Sequence, residues 1–464
     1  MTFCDLETAG DMLTALIERF SQKAPLSVMS RALMENALSA SRVDALFERT
    51  AESGYCRQLL FSHLVDLMTV VVCKLQPAVY AALKFARLPA SATAVYNKLQ
   101  RIEPVVLESL LRDVFARLHA VIREMKGELP GPIPGYESLV LDGNHLASTE
   151  RRLRVLWECW AGPLPGTALV FFNPQLKLMS DCVLIEDGHA QERSRTAEIL
   201  TRLKERVVLI ADRNFCTLKL LLGAIKRGAF FVIRHHANMP VELVGERIWA
   251  GKNETGNLYE QAVKATFEKE TVQFRRVTTV LTKKTRNKDD EIHVLSNLPS
   301  EVSAETIAGA YRSRWSIETA FQDLTLALNG EIDTLGYPRA ALFGFTVALI
   351  AYNILSTMRA AIRVAWGVEM EEQVSEYYLA NEVRHDSGGL DTASDEPDWE
   401  FARKATAGEL AAFLVSWAKR IDLKRLSKAK RGVKKPVPPR TKYKGVPHVS
   451  TAKLLAAQKQ REPR

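Results

Sequence analysis

The sequence is poor in cysteine and lacks several short signatures that would settle a function by themselves. Its 464 residues hold six cysteines, Cys4, Cys56, Cys73, Cys159, Cys182 and Cys216. No two form a Cys-x-x-Cys pair and no spacing suits zinc, which argues against a disulfide framework or a zinc fold and for reduced thiols. No Gly-x4-Gly-Lys-Ser/Thr loop occurs, so a nucleotide cofactor is not expected. Residues 1–10 include Asp5 and Glu7 and no basic stretch leading into an apolar one, so no secretory signal is expected. The longest apolar window, 340–358, contains Thr346, Tyr352, Asn353 and Ser356, which favours a buried helix over a membrane span. A cytoplasmic protein without a membrane partner is the expectation. There is no internal repeat.

What is present is length, apolar content and a lopsided charge. A chain of 464 residues exceeds one ordinary core, and a hydrophobic fraction of 47% supports several. From Lys419 to the C-terminus sixteen Lys or Arg stand against Asp422 and Glu462, a net of +14, so the overall +9 leaves −5 for the remainder. Such an end is drawn to phosphates with a strong salt dependence, unless it is only a solvated tail. Lys434, Lys435, Arg440, Lys442 and Lys444 are its candidate DNA contacts.

The pattern changes along the chain. Residues 1–130 read as helical, with breaks near Pro25, Pro77 and Pro89 and a well-buried helix at 59–75. Ser91 can cap a helix over 92–101 that presents Tyr96, Asn97, Lys98 and Arg101, either as a DNA-reading helix or as a surface helix of a bundle. The Pro/Gly run 128–135 is a linker. Over 131–239, β-like runs at 138–141, 153–160, and 168–172 or 176–185 precede a helix at 191–204, a strand at 207–210, a helix at 218–227 and a strand at 230–234. That order is the one of a ribonuclease-H-like α/β sheet. A β-rich insertion is expected over 240–300 and a helix over 303–328, within a second core segment at 301–330. A helical region then covers 331–418, with a loop at 386–398 and a last helix at 399–419, before the basic tail 419–464, expected to be mobile when unbound.

Three carboxylates carry the chemistry. Asp142 closes the apolar run Leu139-Val140-Leu141, and Asp212 closes Val208-Leu209-Ile210-Ala211. Tyr311, Arg314 and Glu318 fall at i, i+3 and i+7, one face of a helix. Taken singly, a strand-end aspartate is usually a turn residue, and Arg314 with Glu318 is an ordinary i,i+4 ion pair. Together, two strand-end aspartates and a helical glutamate suggest a two-metal phosphodiester site, because hard oxygen ligands select magnesium or manganese. In that reading Asp142 bridges the two ions while Asp212 and Glu318 each complete one shell.

These residues resemble the DDE transposases of bacterial insertion sequences that carry a Tyr-x2-Arg-x3-Glu-x6-Lys motif. Tyr311, Arg314 and Glu318 match its first three positions, and Trp315 stands where relatives often have tryptophan. The resemblance takes in Asp142, Asp212, the block from Glu186 to Arg193 and the basic end, over about residues 25–455. The fourth motif position differs: the lysine due at 325 is Thr325, and no lysine or arginine occurs between Trp315 and Gly330.

The resemblance implies cut-and-paste transposition of an insertion sequence: metal-dependent hydrolysis at the element ends, then attack by the freed 3′-hydroxyl on target DNA. Release through a DNA hairpin is implied for relatives with a β insertion, where an aromatic ring stacks on an extruded base. Trp315 is the first candidate for that ring and Trp249 the second, against a packed core position for Trp249. Tyr311 and Arg314 would meet phosphates beside the cut. The implied partners are double-stranded DNA, as terminal inverted repeats and target, and a second copy of the chain. The implied setting is the bacterial cytoplasm, on the nucleoid when bound. Asp187-Gly188-His189 with Glu192 could imitate a metal cluster but reads better as a loop near the site. The alternatives are a nuclease on the same fold without strand transfer, or a decayed copy that binds ends and represses.

Overall fold

β-Branched and apolar residues alternate along the middle of the chain, and in a computed structural model they assemble into one nine-stranded sheet. The structure describes residues 14–52, 59–88, 90–146, 149–150, 152–157, 159, 162–285, 288–429 and 448–461. The strands are β1 (Ser138–His145), β2 (Pro163–Leu164), β3 (Thr167–Asn173), β4 (Leu178–Ile185), β5 (Val208–Ala211), β6 (Phe230–Arg234), β7 (Glu242–Asn253), β8 (Gly256–Phe267), β9 (Glu270–Leu281), β10 (Glu291–Ser296) and β11 (Val449–Ser450). The large sheet runs β4-β3-β1-β5-β6-β10-β9-β8-β7. At its centre β1, β5 and β6 are parallel, while β3, β4 and the strands from β10 outward pair antiparallel. The strands between 240 and 300 are thus hydrogen-bonded to the central sheet through β10.

The central strands are apolar on both faces, as strands covered from both sides must be. Val140, Val208, Ile210 and Val232 pack toward the helices. Leu139, Leu141, Leu209, Ala211, Phe231 and Ile233 face the other way, onto the helices Thr196–Thr201 and Leu218–Lys226. The first side is filled by Pro104–Glu124 and by the helix Pro338–Trp366, whose apolar stretch is long enough to cross a membrane but is wholly buried inside the protein. The outer edge at β4 is covered by Pro104–Glu124: Glu108 accepts the Leu184 N–H at 3.0 Å and pairs with Arg202, while Arg112 pairs with Asp181. A strand edge closed this way offers no ladder to another chain.

Before β1 the described residues form helices, among them Ala15–Lys23, Pro25–Leu38 and Ala40–Thr50. The helix expected at 59–75 is Phe61–Val72, and that expected at 92–101 is Ala92–Leu99, where the Ser91 hydroxyl accepts the Ala94 N–H. Several sequence expectations need correction. Among the described residues of the run 153–160 there is no strand; Arg154–Leu156 forms a short 3₁₀ turn with Leu156 in the core. The expected helix 303–328 is two helices, Ala304–Ser313 and Trp315–Ala327, because the bonds Arg314 N–H to Tyr311 and Ile317 N–H to Arg314 tighten the chain to a three-residue period there. Residues 386–393 are helical: Glu376–Ala393 is capped by Ser375 and held by buried Leu379, Ala380 and Leu390, packing that outweighs the low propensity of Gly388 and Gly389. The last helix is split into Glu400–Lys404 and Ala407–Ala418, the second opened by a Thr406/Glu409 capping box. The C-terminal end is not wholly a free tail. β11 pairs in parallel with β2, Thr451–Arg461 is helical, and Lys453 reaches Asp187 at 3.2 Å.

One buried amide joins the long helix to the sheet. Pairing between β3 and β4 slips after Phe171, where Phe172 faces Met179. Asn353, fully buried, accepts the Met179 N–H at 2.7 Å and donates to the Met179 carbonyl at 2.9 Å. Asn353→Leu leaves both backbone groups unpaired, so a loss of roughly 2–4 kcal/mol in urea unfolding is expected.

Candidate active site

The two aspartates stand side by side because their strands do. β1 and β5 are parallel neighbours in the register Leu141 to Ala211, so Asp142 and Asp212 come side by side; Asp212 follows the end of β5, whereas β1 runs on to His145 and Asp142 stays paired with Val170 of β3, so it does not close its strand as the sequence suggested. Strand alternation gives both the parity of Val140 and Ile210, whose side chains face the helical side. Each carboxylate is oriented by the N–H that follows it: Gly143 donates to Asp142 Oδ1 at 3.0 Å and Arg213 to Asp212 Oδ1 at 2.6 Å.

The glutamate helix reaches this edge through Arg314. Ile317, Ala320 and Leu324 bury one side of Trp315–Ala327 and leave Glu318 beside the strand ends. Arg314, only 7% exposed, donates to Asp142 Oδ2 at 3.1 Å and to Glu318 Oε1 at 2.6 Å. Its Nε has no partner among the described residues. Burial works against its charge, but Asp142, Tyr311 and Glu318 outweigh it and raise its pKa. Tyr311 is also buried, hydrogen-bonded to Arg314 and within the field of Asp212; burial, then Asp212, raises its pKa. Burial pushes the Asp142 carboxyl up to about 6 in spite of Arg314, and Glu318 and Glu192 add to the shift.

Glu192 is the residue that sequence reasoning undervalued. A Cβ at Gly143 would lie 1.8 Å from Glu192 Oε1, so only glycine at 143 admits this carboxylate against the strand. Asn214, two residues past Asp212, hydrogen-bonds to it, and burial raises its pKa with Asp212 contributing. The signal lay in Asp142-Gly143: a glycine directly after an aspartate on a strand leaves room for a second acid. Asp187, by contrast, is held below the ordinary carboxylate range by Ser450, the His189 N–H and Lys453, against the effect of burial, and serves to dock the C-terminal segment.

Other candidates lie elsewhere. Trp315 is 63% exposed at the start of the glutamate helix. Trp249 is 65% exposed on the edge strand β7, opposite Tyr259, so the packed-core alternative for it is overturned; bulges on either side of it twist this edge. Tyr96 and Lys98 belong to the helical bundle, Tyr96 half-buried near Arg152 and Lys98 over the Phe47 ring. Thr325 is exposed, its hydroxyl bonded to the Phe321 carbonyl. Lys434, Lys435, Arg440, Lys442 and Lys444 lie outside the described residues.

The donors suit a hard divalent ion. Asp142, Asp212 and Glu318 offer carboxylate oxygens only, and a guanidinium already supplies positive charge between two of them. The second Asp212 oxygen takes no hydrogen bond among the described residues. As they stand, no three His, Cys, Asp or Glu side chains among the described residues converge closely enough to hold a metal.

The Asp142 shift has a consequence for stability. A carboxyl at about 6 when folded, against 3.8 ordinarily, holds its proton more tightly in the native state. Its contribution is therefore full below about pH 4 and is lost as pH rises through about 6, by roughly 3 kcal/mol at most. Asp142→Asn is expected to flatten this part of the stability–pH curve, measured by urea unfolding.

Residues 167–354 match the sequence model of the transposase DDE domain family, a span that includes Asp212 and Glu318 but begins after Asp142. The chain is 25% identical over 309 residues to a probable transposase for insertion sequence element IS5377 of Geobacillus stearothermophilus, covering 64% of this chain and 74% of that protein. Among solved structures, a cryo-EM structure of the piggyBac transposase synaptic complex with hairpin DNA aligns with a TM-score of 0.35 and 10% identity, over 80% of this chain and 82% of that one. On the domain match and the insertion-sequence relative, the chain is similar to the DDE insertion-sequence transposases.

Proposed function

We propose that the chain is a cut-and-paste DNA transposase with a ribonuclease-H-like core, which cleaves the ends of an insertion sequence and joins the freed 3′-hydroxyls to target DNA. The observation that carries this reading is Arg314, which bonds both Asp142 and Glu318, with Asp212 following the parallel neighbour strand β5. Strand order supports the core assignment: the parallel trio β1, β5 and β6 with antiparallel β3 and β4 on one side.

Asp142, Asp212 and Glu318 would hold magnesium or manganese, two ions per site, and Glu192 stands close enough to assist. Bound there, the metal would lower the pKa of the attacking water or hydroxyl and neutralise charge on the leaving oxygen. Arg314 holds Asp142 and Glu318 in register. Tyr311 orients Arg314. Trp315 and Trp249, both exposed, offer faces for a base swung out of the helix if the ends leave as hairpins. A dimer on paired ends follows from the need to cut and join two ends together. The cytoplasm is the setting this reading assigns.

The rival reading, an end-binding repressor, draws on Thr325, which supplies no cation where the motif has lysine. Against it, a pure binding protein gains nothing from carboxylates gathered where phosphates would lie. Glu318→Gln is expected to abolish magnesium- or manganese-dependent cleavage of a linear DNA carrying the element and its flanks, while end binding persists in gel-shift assays. Equal cleavage by wild type and variant would remove Glu318 from the chemistry; end binding by the wild type without cuts would favour the repressor.

A further inference from the structure

Beside the carboxylates, a cleft of about 760 Å³ opens between the strand ends and the turn that follows β6. Glu192 and Asn214 line its near wall, and Gly143, whose missing Cβ admits Glu192, separates it from Asp142. Alternation along β1 gives Gly143 the parity of Leu141, so the cleft lies on the sheet face opposite the glutamate helix.

The charge of the lining is one-sided. Arg193, Arg213 and Lys219 are exposed in it, and among the described residues none stands within ion-pairing distance of a carboxylate. Glu192 is the single carboxylate of the lining, and it is taken up by Asn214. Most arginines elsewhere in the central sheet and its flanking helices are paired, as Arg202, Arg234, Arg247, Arg275 and Arg339 are. Three unpaired cations in one concavity favour a polyanion. The far wall adds the half-buried ring of Phe267 at the end of β8, an apolar face against which a base can stack. The volume falls within the roughly 300–1,000 Å³ of sites that enclose a small ligand. That suits one or two unpaired nucleotides and not a base-paired segment.

We propose that this cleft binds the single-stranded nucleotides on one side of the scissile phosphate, with Arg193, Arg213 and Lys219 on their phosphates. To reach Asp142 the strand would pass the Glu192 carboxylate, which fills the space beside Gly143. The inference rests on the transposase reading of the carboxylates and adds a strand path to it.

The test uses the full chain, with a fluorescent single-stranded oligonucleotide of the element-end sequence and the matching duplex as probes, read by anisotropy at several salt concentrations. The double variant Arg193→Gln/Lys219→Gln is compared with wild type and with Lys84→Gln, a cation of the distant bundle. Expected is a roughly tenfold loss of single-strand affinity with a salt slope shallower by about 1.4, two phosphate contacts' worth. Duplex binding and the Lys84→Gln control should stay unchanged. As a check independent of folding, 4-thiothymidine placed next to the cut should crosslink wild type to the peptide containing Phe267. Unchanged single-strand affinity and slope, in a wild type that does cleave ends, would overturn the cleft and leave the catalytic reading standing. Equal losses for duplex and single strand would overturn it in favour of a duplex surface. Absence of end cleavage by wild type would instead strike at the catalytic reading and remove the basis for both.

Discussion

Arg314 is the constraint on which the site depends. It and Asp142 are 172 residues apart in sequence, yet one guanidinium spans the carboxylates of the first strand and of the glutamate helix. Arg314 stands at the junction of Ala304–Ser313 and Trp315–Ala327, with its backbone still in helical geometry and its side chain meeting Glu318 one turn on. A lysine could not replace it, since a point charge lacks the planar fork that serves two acceptors at once. Because the pair is mostly buried, removing either partner would strand a charge in a poorly solvated place. The arrangement therefore fixes the angle of the helix as firmly as its apolar contacts do.

The same edge is crowded with negative charge on both sides of the sheet. Asp142 and Glu318 share Arg314, while Glu192 approaches from beyond Gly143 and leans on Asn214. Burial raises the pKa of Asp142 and of Glu192, and the neighbouring carboxylates add to it. A fold tolerates that cost where a function requires it, which is why perturbed carboxylates gather at reactive sites. The stabilising work is done at a distance, by the doubly covered central strands and by the Asn353 amide on Met179.

Much of this was legible in the sequence where apolar runs were long and ended cleanly. The strand at 230–234 and the helix starting at 218 coincide with β6 and Leu218–Lys226, and the aspartates after two such runs could be found by reading alone. The motif spacing of Tyr311, Arg314 and Glu318 was visible too, but a 3.6-residue wheel could not reveal the junction at Arg314, where two backbone bonds span three residues. The reading of 386–398 as a loop failed over 386–393 because composition was weighed without its partners: Leu390 finds a buried seat, and the helix follows. Glu192 was overlooked because its relation to Gly143 is purely spatial. Trp249 was given a core alternative on β-strand pattern, but an edge strand with two bulges turns its large residues to solvent.

Thr325 then acquires a physical context. The helix that carries Glu318 offers no cation between Trp315 and Gly330, and Arg314 already has two carboxylates to satisfy. Any polyanion brought to this edge must meet positive charge contributed by other elements. Two sources qualify: the basic residues after Lys419, far along the chain, and the three cations beside Glu192. The second set is held on the Glu192–Arg195 turn, the turn after β5 and the following helix, elements that also position Glu192 and Asp212. Charge fixed to the same framework as the acids can stay in register with them. On that reasoning the missing lysine need not mark a broken site; its task can be met from the opposite face of the sheet.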